Sequence, residues 1–277
     1  MSQVQYTSMA GTLGGLIKDL RLQKKLSQLE VAVAIGWKEG SILSRIEQGV
    51  VSKPSKEVIE KLGITLELTK REKNELLLAG NYLPDKEEIN KIRREINTLM
   101  SEWKYPATAY DFSWRIIHEN KVCKYIYYEN ENEAEKVEKN VPNVFELNFN
   151  ENYAQNKFAQ DKPGNGIESE LIQSLTQYRV EQKSHNAEEN INNLIKKLIL
   201  NKPFRTIWEK IQNVDHAKMI DNYTFADYVI PARGKKETLS FHLFNAPLLD
   251  DPRINIEFHT PADKKTFEYF ENEKFDI

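Results

Sequence analysis

Between residues 11 and 82 the apolar positions come in short bursts at helical spacing, each closed by turn residues. Leu13, Leu16, Ile17 and Leu20 share one face of a predicted helix over 13–25. Ser27-Gln28-Leu29-Glu30 is a capping box, in which Ser and Glu side chains satisfy each other's orphan amides. It opens a second helix to Ile35, stopped at Gly36. A third helix is expected over about 40–48 before Gly49, a fourth from Pro54 to Leu62, and a fifth from the box Thr69-Lys70-Arg71-Glu72 to Ala79. Gly80 to Pro84 marks a boundary.

Beyond it, Ile89, Ile92, Ile96, Leu99, Met100 and Trp103 repeat at helical spacing, which predicts one long amphipathic helix over 85–103. It packs on the second domain or supplies a dimer face. Strands are predicted over 107–112 and 114–119, and a helix capped by Asn120 through Tyr128. The charged run 129–140 reads as a loop or exposed helix end. Helices follow over 167–182, 187–200 and 204–211, with Pro203 suited to a first turn. Strands are expected over 225–232, 238–244 and 253–259, and a closing helix over 262–270. In the last strand Ile254, Ile256 and Phe258 alternate with Asn255, Glu257 and His259, the period of a sheet with one buried face. The fold class is therefore α+β. A tail (1–10) precedes an all-α domain of five helices (11–83), followed by a mixed domain with an antiparallel sheet (84–277).

Charge sharpens the division. Residues 1–82 carry 12 Lys+Arg against 9 Asp+Glu, a balance of +3, so the remainder bears −6 of a chain whose net charge is −3. A mildly basic front on an acidic body suits a reader of nucleic acid whose second domain stays off the phosphates. No apolar run approaches the ~18–20 residues needed to span a bilayer, and the N-terminus lacks the pattern of a secretion signal. The single cysteine, Cys123, excludes an intrachain disulfide and a Cys-rich zinc site, and reads as buried and inert. A cytoplasmic protein is expected. The five histidines (118, 185, 216, 242 and 259) show no metal-ligand spacing. Phosphate-cradling glycine loops and nucleophile elbows are also absent, so neither a cofactor nor an enzymatic role is expected.

The stretch Leu26-Ser27-Gln28 … Ala32 … Ile35-Gly36-Trp37 … Leu43-Ser44-Arg45-Ile46-Glu47-Gln48-Gly49 resembles the XRE-type helix-turn-helix family of repressors over about 70 residues. One departure is an extra residue between Gly36 and Ser44, which requires a reshaped turn around Glu39, Gly40 and Ser41. Leu43 and Ile46 are placed to face the core, turning Ser41, Ile42, Ser44 and Arg45 outward to a major groove. Arg45 can offer two parallel donors to guanine, and Ser44 can reach a base or a phosphate. Gly40 would let backbone approach DNA, and Gln28 would meet phosphate at a helix start. Lys38 and Lys53 flank the reading helix and either contact phosphate or are solvated. Trp37 is expected to plug the core. The resemblance further implies a structural salt bridge between Arg21 and Glu47.

Three blocks of the second domain resemble the MmyB-like ligand-binding domain: Pro106-Ala107 … Trp114 to Asn120, then Leu198 … Lys202 to Trp208, then Leu239-Ser240-Phe241 … Asp251 to Ile254 … His259 to Asp263. The resemblance implies a PAS-like sensor with an apolar pocket for a lipophilic, fatty-acid-like molecule. Gln212-Asn213-Val214 stand where that family has His-Asp-Val. Pocket candidates are Phe112, Trp114, Phe204, Trp208, Phe241 and Phe244, each more readily read as ordinary core. Arg233 or His242 could hold a ligand carboxylate. The expected partners are an operator duplex, a small lipophilic ligand and a second copy of the chain, with no membrane. The alternative is a DNA-anchored module whose acidic domain binds a protein.

Overall fold

Side-chain caps open four of the first five helices, and left-handed residues close them. The computed structural model describes residues 12–153, 167–212, 227–231 and 238–272. The expected tail over 1–10 and the positions Asn213, Val214 and Arg233 lie outside the described residues. Helix α1 (Leu13–Gln23) starts at Thr12, whose hydroxyl accepts from the Gly15 amide. Both predicted capping boxes form, Ser27 with Glu30 on α2 (Gln28–Ala34) and Thr69 with Glu72 on α5 (Lys70–Ala79). Between them run α3 (Ser41–Glu47) and α4 (Lys56–Thr65). The cap of α4 is Ser55, so this helix is shifted toward the C-terminus of its predicted span.

At the ends of α1, α2, α4 and α5, a backbone amide reaches back to the carbonyl five residues earlier: Leu26 to Arg21, Trp37 to Ala32, Leu68 to Gly63, and Tyr82 to Leu77. This closure needs a left-handed residue just before the donor. Lys25, Gly36, Glu67 and Asn81 hold those places. The apolar faces converge on Leu13, Ile17, Val31, Ile35, Leu43, Ile46, Ile59, Leu62, Leu66, Leu76 and Leu77, with Trp37 half-buried against them. Removing such side chains from water stabilises the fold by about 1.5–3 kcal/mol each. Among the described residues, those up to Leu83 and the segment Leu248–Arg253 form one compact unit; those between Pro84 and Pro247 and those from Ile254 onward form another.

In the second unit α6 (Lys86–Ser101) is opened by Asp85 and Glu88, a capping box the sequence reading passed over. It buries Ile89, Ile92, Ile96 and Met100, while Leu99 faces water. Strands β1 (Ala107–Asp111) and β2 (Ile116–Glu119) form a hairpin around a turn locked by Asp111, whose carboxylate accepts from the Ser113 and Arg115 amides and from the Arg115 guanidinium. Trp114 is left-handed there, with φ 60°. Asn120 caps α7 (Lys121–Tyr127) through the Cys123 amide and also donates to the carbonyls of Tyr105 and Trp103. It thereby ties the end of α6 to the hairpin.

The run read as loop or exposed helix end is α8 (Glu131–Asn140), which buries Ala134 and Val137. A short unpredicted helix follows, α9 (Val144–Phe149). Then come α10 (Ile167–Ser184), α11 (Glu188–Leu198) and α12 (Lys202–Gln212). Strands β3 (Asp227–Pro231), β4 (Thr238–Pro247) and β5 (Ile254–Pro261) precede α13 (Lys264–Asn272). The sheet is antiparallel throughout, in the order β2-β1-β5-β4-β3.

Two apolar clusters fill this unit. One joins the sheet to α7, α8 and α13 through Ile116, Ile126, Tyr128, Val137, Phe241 and Phe270, among others. The other is helical and includes Leu175, Tyr178, Leu194, Phe204 and Ile207. Helix α9 serves both: Leu147 enters the first, and Phe145 and Phe149 enter the second.

Candidate nucleic-acid interface

Helix α3 is held from behind on three supports. Leu43 and Ile46 are fully buried in the core of the first unit. Gly14 of α1 lies so close beneath the end of α3 that a Cβ there would fall 2.2 Å from the Ile46 carbonyl oxygen. The third support is the Arg21–Glu47 ion pair that the resemblance implied. The Arg21 Nε and Nη2 donate to the two Glu47 oxygens at 2.6 and 2.9 Å, and both side chains are buried. Burial alone would push the Glu47 carboxyl up, but hydrogen bonds from Arg21 and Gln28, with the charge of Arg21, hold it below its ordinary value. Such a pair fixes α3 against α1 in one register.

The opposite side of α3 faces water. Ser41, Ile42 and Arg45 are exposed, and Ser44 is half-buried with its hydroxyl accepting from Gln48. Lys38 is exposed in the preceding turn. After this turn α3 begins at Ser41, and Gly40 provides no side-chain cap. Seven residues make the helix, under two turns.

Three further residues expected at DNA also have neighbours within the protein. Gln28 turns its amide inward, donating to Glu47 at 2.7 Å, so it braces the ion pair. Gly40 uses its missing side chain against the protein: a Cβ there would meet the Gln28–Leu29 backbone at 3.3 Å. Lys53 is exposed but reaches the Asn81 carbonyl and lies over the Tyr82 ring, 5.4 Å from its centre. Sequence inspection missed Gly14; its only signal was a pair of glycines inside a helical pattern, where glycine is costly unless two backbones meet.

Residues 12–76 match a family model described as a helix-turn-helix domain. No curated protein matches the chain. The match runs from the cap of α1 into α5 and contains the whole α2–turn–α3 element just described. The first unit is thus a helix-turn-helix domain, the class of fold that carries DNA-binding regulators. Among the described residues no helix is long and apolar enough to cross a membrane.

In the second unit the pocket candidates do not converge. Trp114, Phe204 and Trp208 pack on the helical cluster: Trp114 stacks on Phe145 at 5.5 Å, and Phe204 on Trp208 at 6.0 Å. Phe241 belongs to the sheet cluster, 5.8 Å from Phe270. Phe112 is buried in the β1–β2 turn near His185. Phe244 and His242 are an odd number of residues from Phe241 or Leu243 on one strand, so they project to the other face. Phe244 is 44 % exposed. These two cannot line a cavity with Phe241.

The sequence also misjudged β5. Asn255, Glu257 and His259 read as its solvent side, yet His259 is buried, with Tyr127 Oη 3.5 Å from Nδ1 and Glu257 3.1 Å from Nε2. Nearby, Tyr110 of β1 donates its hydroxyl to Asn245 of β4. This face therefore carries polar pairs, one of them covered by Tyr127 of α7. A second polar group is fully enclosed: Tyr128 and Cys123 both donate to Glu119, at 2.5 and 3.4 Å. Burial raises the Glu119 carboxyl and pushes the Cys123 thiol well up.

Proposed function

We propose that this protein is a sequence-specific, DNA-binding transcription regulator that acts as a homodimer, reads a duplex with α3, and senses a lipophilic, fatty-acid-like molecule through its second unit. The observation that carries the DNA part is the asymmetry of α3. Its rear is locked by Leu43, Ile46 and the Arg21–Glu47 pair, while Ser41, Ile42 and Arg45 are free of the core. A recognition helix needs that division, because only a rigidly backed helix presents its side chains to base edges in a fixed register. In this reading Arg45 contacts a guanine, Ser41, Ile42 and Ser44 meet base edges or phosphate, and Lys38 meets phosphate.

Support for the sensing part is the resemblance of the three sequence blocks, together with an antiparallel sheet carrying helices. The parting of the pocket candidates into two clusters favours the second reading, in which the acidic unit binds a protein and the first unit anchors it to DNA. Native mass spectrometry of the full chain, with operator affinity measured before and after delipidation, separates the two. A copurifying lipid whose removal changes affinity supports sensing. Identical affinities and no bound mass overturn it, and leave the DNA reading standing.

A further inference from the structure

The DNA-reading unit is discontinuous in sequence. Besides residues up to Leu83 it contains Leu248–Arg253, the stretch between β4 and β5. This stretch is fastened by buried polar groups. Arg253, 1 % exposed, donates to both Asp251 oxygens at 2.9 and 2.8 Å. The same guanidinium reaches the Asn74 side-chain oxygen and the Tyr82 carbonyl, each at 3.5 Å. Asn74 of α5, 4 % exposed, donates in turn to the Asp250 carbonyl at 2.8 Å. A buried polar network of this kind specifies one arrangement, since losing one member costs each buried group that it satisfied.

The fastening has no slack in the chain. Pro247, immediately before it, is the last residue of β4 and pairs with Asn255; Ile254, immediately after it, opens β5 and pairs with Asp111. A change in the stagger or twist of β4 against β5 therefore enters residues 248–253 directly through the backbone.

We propose that Leu248–Arg253 is a clip, built into the chain, that makes the stability of α5 and its closing turn depend on the pairing of β4 with β5. It deepens the regulator reading by supplying a route for control, and rests on that reading only for its consequence at DNA. A shift in the strands would loosen or tighten α5 and alter the reading unit by population shift.

The test is amide hydrogen exchange of the full-length chain carrying Arg253→Met or Asn74→Ala. The clip predicts at least a tenfold rise in exchange over α5 and residues 80–83 in both variants, with the helical cluster of α10 and α11 unchanged. Unchanged protection over α5 in Asn74→Ala overturns the proposal. If Arg253→Met unfolds the whole chain, Asn74→Ala alone decides. The measurement needs no DNA, so a chain that failed to bind any duplex would sink the regulator reading without touching the clip.

Discussion

Replacing Gly14 by alanine should move α3. The new Cβ would lie 2.2 Å from the Ile46 carbonyl oxygen and 2.8 Å from that of Glu47, where ordinary contact begins near 3.4 Å. Both neighbours are backbone atoms, so no rotamer change relieves the clash, and α1 and α3 must separate by roughly 1 Å. Overpacking of this kind costs about 1–3 kcal/mol. The Arg21–Glu47 hydrogen bonds, at 2.6 and 2.9 Å, would lengthen with the same motion and add to the loss. Against this stands about 1 kcal/mol gained by placing alanine in a helix interior. The net expectation is a destabilisation of roughly 2 kcal/mol. Gly15→Ala is the internal control. Its Cβ meets only the Thr12 hydroxyl, at 3.2 Å, so it should change stability by less than about 1 kcal/mol. Urea denaturation of the two variants followed by circular dichroism measures the difference. A Gly14→Ala protein as stable as wild type would refute the close approach of α1 to α3.

Two further expectations follow from buried charge and burial. Glu47→Gln leaves the Arg21 guanidinium without its counter-charge and should cost about 3–5 kcal/mol in denaturation experiments. Because the Glu47 carboxyl is held below its ordinary value in the folded chain, its contribution is complete above the unfolded carboxyl's pKa of ~4.3 and is lost as pH falls through the folded value. Wild type should thus lose stability on acidification below about pH 4.3 by more than Glu47→Gln does; parallel pH curves would contradict this. Cys123, buried with its thiol pushed well up, should react with an aromatic disulfide reagent only as fast as the chain opens. Rapid labelling of the native protein would show that the α7 packing is wrong.

Where the sequence was legible, local chemistry and tertiary packing agreed. Ser27 with Glu30 and Thr69 with Glu72 announce their helices because caps act within four residues. Leu43 and Ile46 announce the buried side of α3 through spacing alone. Helix ends were harder: Lys25 and Glu67 close α1 and α4 in a left-handed conformation that glycine usually signals. The charged run 131–140 hid a helix because only Ala134 and Val137 of its inner stripe are apolar. His259 was assigned to the solvent side because strand alternation assumes one wet face, and α7 covers that face with Tyr127. The bond from Gln28 to Glu47 and the fit of Gly40 against the Gln28–Leu29 backbone were not legible, because sequence gives a residue's place on a helix but not its neighbours across helices. The grouping of Leu248–Arg253 with the first unit joins residues over 160 positions apart, beyond any local pattern.

The central claim is that the exposed side of α3 reads base pairs. In vitro selection of duplexes from a random pool by the full-length protein, repeated with Arg45→Ala, tests it most directly. The account predicts a defined motif for the wild type. It predicts relaxed preference at one guanine, and a loss of about 1–3 kcal/mol of specific binding, for the variant. A wild-type selection that enriches no sequence, or an Arg45→Ala motif identical to it at every position, would contradict the account.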